Sequence, residues 1–277
     1  MTISAIMVVY NEEKRIEATL RSIAWCDEII IIDKQSTDHT LEIAQQYTNK
    51  IIQVPWRDFK PDEAQIALYS ATSDWVFSAT ASDVVHPVLA AQIRELIQAT
   101  NFPYDVIHVP YRRYVLGLET NRSPWYSEQH PVVFRKQVVR INQNSVHGAV
   151  SFSTERHFKM PDSEEYCMYH LTHETMEIMM DRHTRYLKAE AVLFPQRSPL
   201  RKAFKPIFQS IIHLVVRRRT WLMGWDGVAL AMAYISYSLL RFVYIWERRR
   251  SHAPQKYQNI RESILEEWTL SEAAKHD

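Results

Sequence analysis

Residues 3–40, ISAIMVVYNEEKRIEATLRSIAWCDEIIIIDKQSTDHT, constrain the fold more than any other part of this 277-residue chain. Ile3 to Val9 is a nearly unbroken apolar run, as expected of a strand buried on both faces. After a polar break, Ile16, Leu20 and Ile23 recur at helical spacing, and Asn11 is placed to cap that helix. Glu28 to Ile32 is a second apolar run ending on Asp33, and Ser36, Thr37 and Asp38 offer capping chemistry for a second helix. A parallel sheet with such crossovers opens its ligand crevice at the carboxyl ends of its strands. Tyr10, Asn11, Glu12 and Asp33 stand at such ends, so a ligand is expected there, with Lys34 solvated beside it.

The scarcity of glycine narrows what that ligand can be. Gly117, Gly148, Gly224 and Gly227 are the only four, so neither a P-loop nor a G-x-G-x-x-G fingerprint can be written. Kinase, P-loop ATPase and Gly-rich dinucleotide sites are thereby disfavoured, and neither NAD nor flavin is expected. A phosphorylated ligand would have to be neutralised by basic side chains, helix amino termini or a metal. Cys26 and Cys167 exclude a disulfide scaffold. His170 and His173, three apart, could share a helix face, yet no cysteine pair joins them and zinc is not expected. A net charge of +1 provides no field to attract nucleic acid.

Further along, residues 50–54 and 75–79 read as strands around a helix at 61–71, and 87–99 as another amphipathic helix. Segments 105–110 and 131–135 read as strands of an acceptor-facing half, separated by a polar, aromatic loop at 117–130 suited to substrate gating. From about residue 172 the pattern is helical. Thr172 or Thr175 caps a helix running to Phe194 and stopped by Pro195. Val228 to Trp246 is apolar and long enough to span a bilayer, but it contains Arg241 and lies between Arg217–Arg219 and Arg248–Arg250. An interfacial helix on the membrane surface fits that pattern better. Met1-Thr2 leads directly into a domain strand without a signal peptide, so a cytoplasmic protein, peripheral on the inner face of the cell membrane, is expected.

VVYNEE followed by IIIDKQSTDHT resembles the opening of the inverting glycosyltransferases of family 2, whose nucleotide-binding half is the Rossmann-like GT-A fold. The resemblance continues in Ser73-Asp74-Trp75-Val76, in Val146-His147, in the segment 170–193 and in the tail KPIFQSIIHLVVRRRTWLMGWDGVALAMAYISYSLLRFVYIWE. Together these cover most of the chain and are similar to the bacterial subgroup that adds sugars to the lipopolysaccharide core. The resemblance implies an α/β architecture, a mostly parallel sheet flanked by helices, with a helical C-terminal extension. Residues 1–170 would bind nucleotide-sugar and acceptor, and 171–277 would form a helical region at the membrane surface. The implied reaction moves a sugar, with a UDP-sugar as expected donor, to a lipopolysaccharide-core or other lipid-linked glycan.

Residue by residue, the resemblance makes Asp33 a contact to the base or ribose, with Tyr10 and Glu12 lining the same pocket. The Asp-x-Asp motif that holds Mg or Mn in this family falls on Thr80 and Ser82, and hydroxyls replace carboxylates poorly around a hard dication. Asp83 follows directly as a candidate metal ligand. Three alternatives stay open: a shifted site of Asp83 with His86; a metal-free site using Arg57, Lys60, Arg112 or Arg113; or a catalytically inactive nucleotide-sugar or glycan-binding protein on the same fold. Glu128 aligns with an acidic position and is the candidate general base. His147 matches a Val-His element usually followed by Glu, here by Gly148, and is a candidate for orienting phosphate or acceptor.

Overall fold

The structure, a computed structural model, describes residues 1–56, 62–141, 150–250 and 252–273. Strand β1 (Ile3–Val9), helix α1 (Ile16–Ile23), strand β2 (Glu28–Asp33) and helix α2 (Thr40–Gln45) form the opening unit as the apolar pattern requires. All six residues of β2 are buried, which is why that run is apolar without alternation. Strand β3 (Ile51–Gln53), helix α3 (Asp62–Ser70), strands β4 (Trp75–Ala79) and β5 (Asp83–Val85), and helix α4 (Pro87–Gln98) follow. The second half adds β6 (Val106–Val115), β7 (Gln129–Arg135), β8 (Val139–Ile141), β9 (Val150–Phe152), β10 (His157–Lys159) and β11 (Met168–Thr172).

The main sheet has the order β3-β2-β1-β4-β7-β6-β11-β5, with β10 paired to β6, while β8 and β9 form a separate hairpin. Pairings β1–β2, β1–β4, β2–β3, β6–β10 and β6–β11 are parallel; β4–β7, β6–β7 and β5–β11 are antiparallel. The expected mostly parallel α/β sheet is thus present. Alternation along the strands divides the core. Ile29 and Ile31 face α1 and α4 with Leu20 and Ile93, whereas Ile30 and Ile32 face α3 with Ala67 and Leu68. Burying each of these isoleucine and leucine side chains contributes roughly 1.5–3 kcal/mol.

β6 runs through Pro110, past the expected end of that strand. Pro110 sits between the stretch paired with β10 (Val106–His108) and the stretch paired with β11 (Tyr111–Val115), where its missing N–H leaves no ladder position unmet. β11 crosses residue 170, so the sheet extends two residues beyond the expected domain boundary.

The helical region comprises α5 (Met176–Leu193), α6 (Leu200–Ile212), a π-helical turn (His213–Arg218), a 3-10 turn (Thr220–Met223), α7 (Trp225–Arg249) and α8 (Ala253–Ala273). Thr175 caps α5 by accepting the Ile178 N–H at 3.3 Å, so of the two expected caps the second is used. Arg241 on the apolar helix α7 turns inward to Glu190 of α5, which also accepts the Tyr237 hydroxyl at 2.5 Å. Arg248 donates to the Ala191 and Val192 carbonyls at 2.7 and 2.8 Å, satisfying the open carboxyl end of α5. That part of the basic cluster is therefore tied to the protein itself.

Candidate active site

The pairing directions bring the carboxyl ends of β1, β2, β4, β6 and β11 and the amino ends of β5 and β7 to one rim of the sheet. Tyr10 to Glu12, Asp33, Thr80 to Asp83 and Glu128 all stand there. His147, Arg57 and Lys60 lie outside the described residues.

On the donor side, the structure assigns Asn11 a different task from the expected helix cap. It has a φ of +52°, a left-handed conformation that Asn tolerates better than most residues. Its N–H donates to Ser36 Oγ at 3.0 Å, and its Oδ1 accepts the Thr37 N–H at 2.8 Å. Asp38 spans the same gap, accepting the Glu13 and Thr40 N–H groups at 3.1 and 3.0 Å. Asn11 therefore clasps the two rim loops together, and α1 starts after Arg15 without a side-chain cap. Asp33 is fully buried. It accepts the Ser36 hydroxyl at 2.6 Å and the Gln53 amide at 3.1 Å, which tie it to the rim loop and to β3. Lys34 is not solvated; it pairs with Glu63 at 3.4 Å. The aromatic surface at this end is Tyr10 with Trp56, ring centroids 5.7 Å apart, and the Arg185 guanidinium lies 5.8 Å from the Tyr10 ring centre.

Around the Asp-x-Asp positions the geometry does not suit a dication. Asp83 is buried and its carboxylate is saturated. One oxygen accepts the Thr80 N–H and hydroxyl at 2.7 and 2.9 Å; the other accepts the Tyr111 hydroxyl at 2.8 Å and lies 2.6 Å from His170 Nδ1. Burial raises the Asp83 carboxyl pKa, but the His170 bond and charge, with Thr80 and Tyr111, outweigh it and hold the group below its usual range. Ser82 Oγ accepts Arg15 Nη1 at 3.0 Å. His86 Nδ1 accepts the Val88 N–H at 3.3 Å and caps α4. The shifted Asp83–His86 site is therefore not formed. Nor is there, among the described residues, any group of three or more His, Cys, Asp or Glu side chains that could hold a metal. His170 belongs to β11 and His173 follows it with a φ of +53°, so the two do not share a helix face.

Glu12 is held by two arginines. It pairs with Arg15, and both its oxygens accept Arg182 Nη2, at 3.1 and 3.2 Å. Burial pushes its carboxyl up, against the pull of Arg15. Arg182, Arg185, Trp56 and Tyr111 were not singled out for the rim by the sequence, whereas His170 opens the segment 170–193 that carries the family resemblance. The 12/15 spacing, one helical step, was a signal that could have been used.

On the acceptor side, Glu128 is exposed, directly before β7, and its carbonyl accepts the Tyr111 N–H at 3.3 Å. Its carboxylate makes no hydrogen bond among the described residues. His130 accepts Arg113 Nη2 at 3.3 Å and packs against Tyr111 at 4.5 Å. Burial, with the Arg113 charge, pushes the His130 pKa down to about 4. Arg112 pairs with Asp162 at 2.5 Å, so Arg112 and Arg113 both have protein partners. The loop at 117–130 is anchored by the helical region: His213 bonds the Pro124 carbonyl at 3.0 Å, Arg218 the Tyr126 carbonyl at 2.9 Å and Thr220 the Arg122 carbonyl at 3.0 Å. The expected gating segment is thus tied down at three points. Between this loop and the helices lies a cavity of about 850 Å³, lined by Trp125, His173, Tyr186, Glu190, Tyr234 and Arg241 among others.

The family model for Glycosyl transferase family 2 matches residues 4–158. The lipopolysaccharide core biosynthesis glycosyltransferase LpsC of Rhizobium meliloti is 23% identical over 278 residues, covering 95% of this chain and 98% of that protein. An uncharacterized glycosyltransferase of Rickettsia felis is 30% identical over 100 residues, 36% of this chain and 35% of that protein. Among solved structures, S. aureus TarS 1–349 in complex with UDP-GlcNAc aligns with a TM-score of 0.47 and 16% identity, over 91% of this chain and 92% of that one. The family match spans more than half of the chain and contains the donor-side rim: the chain is a glycosyltransferase belonging to glycosyl transferase family 2.

Proposed function

We propose that the protein transfers a sugar, with inversion, from a nucleotide-sugar to a lipopolysaccharide-core or other lipid-linked glycan, with a UDP-sugar as the donor to test first. The observation that carries the mechanism is the state of the rim carboxylates. Glu12, Asp33, Asp38 and Asp83 are all held by protein donors, whereas Glu128 is exposed. Glu128 is then the group able to take the proton from the acceptor hydroxyl as its oxygen attacks the anomeric carbon. The nucleoside diphosphate leaves from the opposite face with the bonding electron pair. Tyr10 and Trp56 provide a face for the base, and Asn11 fixes the loop beside it. The 850 Å³ cavity, with aromatic walls and polar groups, suits the acceptor glycan.

Membrane attachment belongs to the same proposal. Phe208, Val216, Trp221, Trp225 and Met232 are exposed on α6, α7 and the turns between them, with Trp225 86% exposed. Arg217 and Arg219 stand beside them. α7 is the one described helix long and apolar enough to cross a membrane, but it also lines the cavity through Tyr234, Tyr237 and Arg241. A helix lying on the inner face of the cell membrane would bring that cavity to a lipid-linked acceptor. Transfer to a truncated lipopolysaccharide core tests the assignment: Glu128→Gln should lose at least about 100-fold in turnover and retain UDP affinity. Unchanged turnover would show that Glu128 is not the base.

A further inference from the structure

We propose that Arg15, with Arg182 behind it, is a built-in counter-cation for the donor diphosphate, so that this transferase binds a nucleoside diphosphate without a divalent metal. The inference rests on the nucleotide-sugar reading above. It starts from Ser82, the second Asp-x-Asp position, whose hydroxyl accepts Arg15 Nη1 at 3.0 Å. A guanidinium therefore occupies the neighbourhood in which the family motif would place a metal. A dication brought to Ser82 would sit within hydrogen-bond distance of a like charge, with no free carboxylate to offset it.

The arginine is held rigidly. Ile16, the next residue, is fully buried at the start of α1. Arg15 Nε donates to Glu12 Oε2 at 3.0 Å, and Nη2 donates to the same oxygen. These bonds and the one to Ser82 use three of the five guanidinium N–H donors. The side chain keeps 13% exposure, which leaves an edge open on the rim. Arg182 reaches across from α5, bonding Glu12 and, at 3.3 Å, Thr172 Oγ1. Two guanidinium groups against one carboxylate leave one net positive charge before any ligand arrives. A guanidinium fork matches phosphate oxygens in a bidentate arrangement, and a fixed cation needs no reorganisation as charge develops on the leaving group.

Isothermal titration of the full chain with UDP, in chelator and then in Mn²⁺ or Mg²⁺, tests this directly. The expected result is a Kd that differs by less than about twofold between the conditions. Arg15→Gln should weaken UDP binding at least about tenfold and leave uridine affinity within about twofold, with Arg15→Lys intermediate. The uridine measurement separates a lost diphosphate contact from a misfolded variant. Affinity for UDP that rises tenfold or more with Mn²⁺, or an Arg15→Gln variant that binds UDP as tightly as wild type, overturns the inference alone. Binding of neither UDP nor uridine by the wild-type chain refutes the nucleotide-sugar reading and the inference with it.

Discussion

His130 should make the protein lose stability in mild acid. Its Nε2 accepts a hydrogen bond from Arg113, an arrangement available only while that nitrogen is unprotonated. Protonation would replace the bond with two adjacent cations. The pKa therefore falls from 6.5 to about 4, through burial first and the Arg113 charge second. The sign follows from linkage. Between the two values the unfolded chain binds more protons than the folded one, so stability falls as pH drops from about 6.5 and levels off below about 4. The ceiling is about 1.4 kcal/mol lost by pH 5.5 and about 2.5 kcal/mol by pH 4.5. The ring is partly exposed, and screening should bring the pH 4.5 figure to about 1–1.5 kcal/mol. Urea unfolding at about pH 7, 5.5 and 4.5, for wild type and His130→Gln, isolates the effect from that of the carboxylates. The Gln oxygen can still accept from Arg113 but does not titrate. Lost ring packing lowers the variant's curve by a constant offset, and the gap should narrow by about 1–1.5 kcal/mol toward acid. Parallel curves would refute the argument.

Asp83→Asn should cost about 2–4 kcal/mol, because an amide presents a donor to one of the two sides where only acceptors are wanted. A loss below about 0.5 kcal/mol in urea unfolding would mean that the carboxylate is not a structural hub. Replacing Phe208, Val216 and Trp225 with Glu should abolish sedimentation with anionic vesicles at an unchanged unfolding midpoint, since all three are exposed. Undiminished sedimentation would refute attachment through these helices.

The opening unit was legible because periodicity alone distinguishes β1 and β2 from α1, and burial then follows from topology. The chemistry at the rim was only partly legible. Asn11 has the side chain of a helix cap, but its partners are in a loop that the sheet brings alongside, and this tertiary contact overrode the local preference. Lys34 looked solvated because Glu63, its partner, is a separate helix away. Arg182 meets Glu12 across 170 positions of sequence, a separation over which no spacing rule operates. The degenerate Asp-x-Asp positions were legible as a departure; the guanidinium beside them was visible only in three dimensions.

The place of β11 in the sheet has a consequence for how the chain is made. β5 is complete by residue 85, yet the strand it pairs with spans 168–172, so the two are joined by one of the longest-range pairings in the molecule. Asp83 gains its His170 bond only at that moment. At about 5–20 residues per second, a ribosome adds the intervening segment over several seconds, during which β5 is an unpaired edge and its carboxylate lacks that neighbour. The sheet edge at β5 therefore cannot close as the nascent chain emerges. It must wait for β11, and a chaperone that holds the incomplete sheet should raise the yield of folded enzyme more than one acting on the finished chain.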